Sequence, residues 1–365
     1  IKNCERNGKM SEENMNSNDE GNTQKNEGVV DKVIKIFEKG WNKQVILYGP
    51  PGTSKTYSAT IIAAKLLAGS DRWDEEKQLE ENSYKLAKRL LNDNNIKARY
   101  KIVQFHPSYS YEDFVRGITV KPDKENNGIT YVTEPKIFEE FCKQAKKDEK
   151  KRYVLIIDEI NRAPLASVLG ELIYGLEYRG SSIATPYAID EKYDFSIPDN
   201  LYIIGTMNTA DRSIGSIDYA VRRRFAFVQV KSNGKEIAGS WKWIGKDAEN
   251  LYNALMKDKD KGKGGIFDNE YLEDQDMDVD DIKIGHTYFL GEKTAEENTE
   301  NKTEEEKGME KKEEQSYLEY RLRYQIRPIY EEYIKDGIIK QIGKENLINI
   351  IQGCGVEFLK NFKIE

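Results

Sequence analysis

Residues 49–56 have the side chains and the neighbours of a loop that binds phosphate. The eight residues are Gly49, Pro50, Pro51, Gly52, Thr53, Ser54, Lys55 and Thr56. An apolar stretch precedes them and a helical pattern follows. In such a loop, backbone N–H groups and the helix start attract an anion, the lysine reaches the β- and γ-phosphates, and the threonine hydroxyl binds Mg²⁺. We predict that these residues bind a nucleotide and that Thr56 also binds the metal.

One position departs from the usual pattern of this loop. Ser54 occupies the place where a second glycine commonly precedes the lysine. Glycine is favoured there if the backbone needs a positive φ or approaches the phosphate closely. We expect the serine to be tolerated, at some cost in nucleotide affinity.

Carboxylate and amide side chains follow two further apolar stretches. Asp158 and Glu159 come directly after Tyr153 to Ile157, and Asn208 comes just after Leu201 to Thr206. At the carboxyl edge of a parallel sheet, one acid can hold Mg²⁺ through water and another can take a proton from an attacking water. We predict Asp158 as the metal-site residue, Glu159 as the general base, and Asn208 as a hydrogen-bond donor to the γ-phosphate or to that water. The alternative is a solvated strand end.

Three consecutive arginines, Arg222, Arg223 and Arg224, precede another apolar stretch. Like charges held together before a buried strand are costly unless anions surround them, so we expect at least one arginine to bind phosphate, with a neighbouring subunit as one place for that phosphate. A basic surface turn paired with carboxylates is the alternative.

The elements that would position these residues alternate short β-branched runs with helical patterns, which is typical of an α/β protein with a parallel sheet. The five predicted strands are Gln44 to Tyr48, Tyr100 to Phe105, Tyr153 to Ile157, Leu201 to Thr206 and Phe225 to Val230. Two hairpins are predicted at Ile118 to Thr133, turning at Asn127 and Gly128, and at Ile183 to Ser196. We expect a five-stranded parallel sheet flanked by helices at 29–232 and a smaller helical lid domain at 233–365.

Charge and composition single out two further tracts. Both are poor in large apolar side chains. We predict a disordered linker at residues 1–28, with a net charge of −2, and a disordered acidic insertion at 291–316, with a net charge of −5. They account for the whole net charge of −7, so the remainder is neutral. A neutral module does not favour a broad duplex-binding face.

Several classes of protein are disfavoured. No apolar run approaches the ~18 residues of a membrane span, and no leader opens the chain, so we expect a cytoplasmic protein. Three scattered cysteines and two histidines support neither a disulfide framework nor a zinc site. Because the first residue is isoleucine, we also expect a domain upstream.

Taken together, the motifs resemble those of the McrB family, within the AAA+ superfamily. The matching strings are LYGPPGTSKT (47–56), FHPSYSYEDFVRG (105–117), IIDEINRAPLASVLGELI (156–173), MNTADRSIGSIDYAVRRRF (207–225) and IGHTYF (284–289). The resemblance implies that Asp158 and Glu159 form the Walker B site and that Asn208 is sensor 1. It also implies that Arg223 acts as a finger in trans, with Arg224 and Arg212 as supporting phosphate or interface arginines.

The same resemblance implies partners and a substrate. The family binds nucleotide between subunits of a ring, which we expect to be a hexamer, and a nuclease subunit, McrC, stimulates hydrolysis and cuts DNA. A separate N-terminal domain reads the modified base, and residues 1–28 would be its tether. The resemblance implies Mg²⁺-dependent GTP hydrolysis that drives DNA translocation.

Other functions stay open. The guanine-reading string NKxD is absent from usable positions, so ATP is an alternative substrate, as in ATP-dependent remodellers of the MoxR or dynein-related type. A scaffold with negligible turnover is a further alternative. Asp123, Glu134 and Lys136 formally match a nuclease pattern, but Pro135 interrupts the supposed strand and Asp123 falls near a hairpin tip.

Overall fold

The computed structural model describes residues 28–80, 82–123, 128–210, 217–257, 265–268, 271–274, 278–291, 302–341 and 343–363. Predictions that concern residues 1–27, the hairpin turn at Asn127, Arg212 and residues 292–301 lie outside these ranges.

Nine strands are present in the described part of the chain. They are β1 (Gln44–Gly49), β2 (Tyr100–Gln104), β3 (Arg116–Asp123), β4 (Gly128–Pro135), β5 (Tyr153–Asp158), β6 (Ile183–Ile189), β7 (Lys192–Phe195), β8 (Leu201–Asn208) and β9 (Ala226–Gln229). Five of them form a parallel sheet in the order β2-β5-β8-β1-β9, while β3 pairs with β4 and β6 with β7 as antiparallel hairpins. The predicted parallel sheet and both predicted hairpins are therefore confirmed.

Helices surround the sheet and continue after it in the described part of the chain. They are α1 (Val29–Glu38), α2 (Lys55–Ala68), α3 (Ser70–Lys77), α4 (Ser83–Leu91), α5 (Tyr111–Phe114), α6 (Ile137–Lys147), α7 (Leu165–Leu169), α8 (Leu172–Glu177), α9 (Tyr219–Arg222), α10 (Ile237–Ser240), α11 (Gly245–Leu255), α12 (Glu304–Arg321), α13 (Arg327–Lys335) and α14 (Gly343–Gly353). None of the helices in the described ranges combines the length and the apolar character that a membrane crossing requires.

The sheet has an apolar layer on each face. Along β1, Val45 and Leu47 pack with α1, α2 and α4, whereas Ile46 between them packs in the cluster on the opposite face. Successive side chains of a strand point to opposite faces, so a sheet covered on both sides needs apolar residues at every position. This requirement explains why the central strand β5 is a continuous apolar run from Tyr153 to Ile157, whereas the edge strand β2 includes Lys101 and Gln104.

A second core lies in the residues after the sheet. It includes Trp241, Leu251, Phe289, Leu322 and Tyr330, all buried, and draws on α10 to α14. The isolated bridge between Leu272 and Ile339 is the only strand-like pairing that the described residues show in this region. The predicted boundary near residue 232 stays a prediction.

The predicted disordered tract at 291–316 is wrong for its second half. Helix α12 runs from Glu304 to Arg321, and Thr303 starts it with a capping box to Glu306. Glu314 accepts hydrogen bonds from the backbone N–H groups of residues 242, 243 and 244. The glutamates and lysines that favour disorder in the sequence are also good helix formers, and the carboxylate of Glu314 accepts from residues 242–244.

Candidate active site

Residues 49–56 link the carboxyl end of β1 to α2, which begins at Lys55. Two residues of this loop have left-handed backbones, Gly52 with φ of 76° and Ser54 with φ of 65°. A side chain at Gly52 would not fit, because a Cβ atom there would lie 2.5 Å from the ring of Tyr288. The loop thus has the turns and the following helix that a phosphate cradle requires.

Lys55 is buried beneath this loop. Its Nζ donates to the carbonyl oxygens of Gly49, at 3.0 Å, and Pro50, at 2.7 Å. Burial lowers the pKa of Lys55 to about 8, and the nearby carboxylates of Glu159 and Asp158 oppose that shift. A phosphate is a stronger partner for an ammonium group than a carbonyl, so Lys55 can exchange these contacts for phosphate oxygens.

Two hydroxyl groups converge on one oxygen of Asp158. Oγ1 of Thr56 donates to Oδ1 of Asp158 at 2.7 Å, and Oγ1 of Thr206 donates to the same atom at 2.6 Å. Hydroxyl and carboxylate oxygens suit Mg²⁺, which commonly takes one or two protein ligands and completes its shell with water and phosphate. Thr56 and Asp158 fit that ion. The described residues hold no cluster of three or more His, Cys, Asp or Glu side chains that would suit another metal.

Glu159 directly follows Asp158 and has a left-handed backbone, with φ of 52°. Its Oε1 accepts a 2.6 Å hydrogen bond from Nδ2 of Asn208, and its Oε2 lies 3.5 Å from Nε of Arg162. Oε2 has no hydrogen-bond partner among the described residues. Burial raises the pKa of Glu159, while Arg162, Lys55 and the bond from Asn208 oppose that shift. A carboxylate can take a proton when its pKa is raised and one of its oxygens accepts no hydrogen bond.

Asn208 lies at the end of β8, directly beside Gly49 of β1 in the parallel register. The next residue, Thr209, donates its N–H to the carbonyl of Gly49 at 3.1 Å. The carbonyl of Asn208 accepts from Nδ2 of Asn161 at 3.3 Å. Because an amide group has two N–H hydrogens, Asn208 can hold Glu159 and still donate to a phosphate or to water.

Residues 285–288, in the helical region after the sheet, contact the loop at 49–56. The N–H of Gly285 donates to the carbonyl of Pro51 at 3.1 Å, and Thr287 donates both its N–H and its hydroxyl to the carbonyl of Gly52. His286, between them, lies 3.2 Å from Ser54, measured from Nε2 to Oγ. The helical region after the sheet therefore contacts the loop directly.

Arg223 and Arg224 do not lie at the loop 49–56 of their own chain. Arg223 and Arg224 both pair with Glu177, with Nη2 to Oε2 distances of 3.2 and 2.7 Å, and they line a cleft of about 300 Å³ together with Gln44, the first residue of β1. The phosphate loop begins at the other end of β1, about 17 Å away at the rise of a parallel strand. The structure does not bring these arginines to the loop of their own chain. Their pairing with Glu177 agrees with the alternative prediction, a basic surface turn paired with carboxylates.

The nuclease pattern is not assembled either. In the β3–β4 hairpin Asp123 pairs with Gly128 and Glu134 pairs with Gly117, so the two acids lie six residues apart along β3, or about 20 Å. Glu134 forms an ion pair with Lys121 instead. These acids cannot share a metal ion.

The structure adds residues that the sequence reasoning missed. Thr206 orients Asp158, Asn161 holds the carbonyl of Asn208, and the segment 285–288 contacts the loop. The string at 284–289 was visible in the sequence, but nothing local in it indicates which part of the chain it touches.

Known proteins show similarity to this chain. The family model of the AAA domain (dynein-related subfamily) matches residues 82–225. The Type IV methyl-directed restriction enzyme EcoKMcrB subunit of Escherichia coli (strain K12) is 32% identical over 314 residues, which is 82% of this chain and 55% of that protein. The Type II restriction enzyme BsuMI component YdiS of Bacillus subtilis (strain 168) is 25% identical over 232 residues, which is 54% of this chain and 60% of that protein.

The chain thus spans between half and two thirds of the length of these curated relatives. Among solved structures, that of a candidate ATPase from Cytophaga hutchinsonii matches with a TM-score of 0.33 and 13% identity, covering 61% of this chain and 58% of that one.

Proposed function

The chain belongs to the McrB family of AAA+ proteins, and on this premise we propose that it is a Mg²⁺-dependent nucleoside triphosphatase. The observation that carries the proposal is the meeting of Thr56, Asp158, Glu159 and Asn208 at the carboxyl edge of the sheet beside Lys55. Ligands of parallel α/β sheets bind at this edge, where the strand order reverses.

Each residue takes a role that its position allows. Lys55 and the backbone of 49–56 bind the phosphates, Thr56 and Asp158 hold Mg²⁺, and Thr206 keeps the Asp158 carboxylate in place. Mg²⁺ held by Thr56 and Asp158 would supply positive charge that offsets the charge of the phosphates. Glu159 takes the proton of the attacking water through Oε2, while Asn208 holds the carboxylate through Oε1.

Phosphate release from GTP and from ATP tests this proposal. We expect Mg²⁺-dependent turnover by the wild type. Glu159→Gln should bind nucleotide as the wild type does but lose turnover by about a hundredfold or more. Glu75→Gln, on the exposed side of α3, is the matched control and should retain the wild-type rate. Wild-type turnover in Glu159→Gln would exclude Glu159 as the base.

For the substrate we propose GTP, on the resemblance to McrB. The matched domain is of the dynein-related subfamily, which supports the second candidate, an ATP-dependent remodeller. A ratio of kcat/KM for GTP over ATP above one favours the first and a ratio below one favours the second.

We further propose that the chain works in a restriction complex, because both curated relatives are named as restriction-enzyme components. It would form a ring, expected to be a hexamer, in which Arg223 reaches the nucleotide of the next subunit and Arg224 and Arg212 support that contact. A nuclease subunit similar to McrC would stimulate hydrolysis, and DNA would be read by a further domain and translocated. Turnover measured with and without the neighbouring gene's product tests the partnership.

A further inference from the structure

Ser54 has a backbone conformation that glycine adopts more easily. Its φ and ψ are 65° and 31°, in the left-handed region. A residue with a Cβ atom is strained there, and strained residues persist where their surroundings hold them. A serine at this position is therefore expected to make a contact that glycine could not.

The hydroxyl of Ser54 makes such a contact with His286. The N–H of Asn233 donates to Nδ1 of His286 at 3.3 Å, so Nδ1 carries no proton. Burial lowers the pKa of His286 to about 4, which keeps the ring neutral and its proton on Nε2. His286 consequently donates to Oγ of Ser54, 3.2 Å away.

The two chain neighbours of His286 fix its imidazole ring next to the loop. Gly285 and Thr287 bond to the carbonyls of Pro51 and Gly52, and a Cβ atom at residue 285 would lie 1.9 Å from the backbone of Gly52. Only 7% of His286 is exposed, so water competes little for its hydrogen bonds. The hydrogen bond to Ser54 is thus shielded from water, and the flanking backbone bonds fix its position.

We propose that Ser54 and His286 form a positioning pair that ties the lid domain to the phosphate loop and tightens nucleotide binding. The inference rests on the proposed binding of nucleotide by residues 49–56. The pair joins residues 232 positions apart and holds the residue just before Lys55 in the conformation that usually belongs to glycine. Nucleotide affinity then depends on the lid domain being seated on the loop.

Four variants of the full chain test the pair, with nucleotide dissociation constants, kcat and KM as readouts. Ser54→Ala removes the acceptor, and we expect it to weaken binding by about three- to tenfold. His286→Asn is too short to reach Ser54 and should weaken binding equally. His286→Gln can place an amide nitrogen near the position of Nε2 and should stay closer to the wild type. In Ser54→Ala/His286→Asn the losses should not add, because both substitutions remove one bond.

Failure of the Ser54–His286 pair can be distinguished from failure of the proposed nucleotide binding. Ser181→Ala, an exposed serine outside the site, is the matched control and should bind as the wild type does. Additive losses in the double variant, or equal affinities of His286→Gln and His286→Asn, would overturn the pair. Thermal unfolding checks the fold of each His286 variant; if these do not fold, wild-type affinity in Ser54→Ala overturns the pair by itself. A wild type that binds no nucleotide would overturn the proposed function and the pair with it.

Discussion

Thr56 and Asp158 are 102 residues apart in the chain, yet the hydroxyl of Thr56 donates a 2.7 Å hydrogen bond to the carboxylate of Asp158. Thr206 donates to the same oxygen from a third element, β8. The start of α2 and the ends of β5 and β8 therefore meet at one carboxylate. This meeting point places the proposed metal site next to the proposed base, Glu159.

Loss of the Asp158 carboxylate should remove the metal dependence of the protein. Asp158→Asn keeps the size of the side chain but removes the charge that attracts Mg²⁺. We expect hydrolysis to fall by about a hundredfold or more, because metal ions supply several kcal/mol of charge stabilisation. Titration of nucleotide binding with Mg²⁺ and with a chelator measures the effect. Asp71→Asn on α3 is an exposed control, and an unchanged Mg²⁺ dependence in Asp158→Asn would contradict the assignment.

Glu159 should destabilise the fold at neutral pH. Its pKa is raised above the usual 4.5, chiefly by burial. A carboxyl group with a higher pKa in the folded chain costs no stability below its unfolded pKa, and the cost grows as pH rises through the folded pKa. Glu159→Gln should therefore have a higher unfolding midpoint than the wild type at pH 7.5, and the difference should shrink below about pH 4.5.

Thermal unfolding at a series of pH values measures this difference. Glu75→Gln, which is exposed, should show no such trend. A difference that does not change with pH would mean that the substituted glutamine stabilises the protein by packing rather than by removing a buried charge.

Glu314 of α12 should stabilise the helical region after the sheet. Its two carboxylate oxygens accept three backbone N–H groups, those of Lys242, Trp243 and Ile244, just before α11 begins. Glu314→Ala leaves these donors without their acceptor, and we expect a loss of about 1–3 kcal/mol in the free energy of unfolding. Urea denaturation measures the loss. Glu313→Ala, one position earlier on the exposed side, should change the value by less than about 0.5 kcal/mol, and an equal loss in both variants would argue against the contact.

Arg223 should act on a neighbouring subunit. The Arg223→Ala chain should fold and bind nucleotide, because Arg223 lies at the far end of β1 from its own loop, but hydrolysis should fall by about a thousandfold. Mixing Arg223→Ala with Glu159→Gln should restore part of the activity, since the first supplies an intact base and the second an intact arginine. Mixtures that stay inactive would count against the assignment in trans.

Local sequence patterns predicted the strands of the sheet. Nearly continuous apolar runs predicted all five strands of the sheet to within one or two residues at each end, because strands covered on both faces are mostly apolar. The acidic tract shows where composition misleads. Its charge density favoured disorder, but the capping signal at Thr303 and Glu306 and the donors that Glu314 meets in the lid domain produce a helix.

The sequence by itself determined the proposed phosphate loop, the Asp158–Glu159 pair and the strands that carry them, because each of these depends on residues that are neighbours in the chain. Tertiary structure alone decided that Thr206 orients Asp158, that His286 reaches Ser54, and that Arg223 and Arg224 lie near the end of β1 opposite their own loop. Hydrogen bonds between distant residues follow from how the strands are ordered and how the helical region packs against the sheet region, and no local pattern in the sequence specifies either.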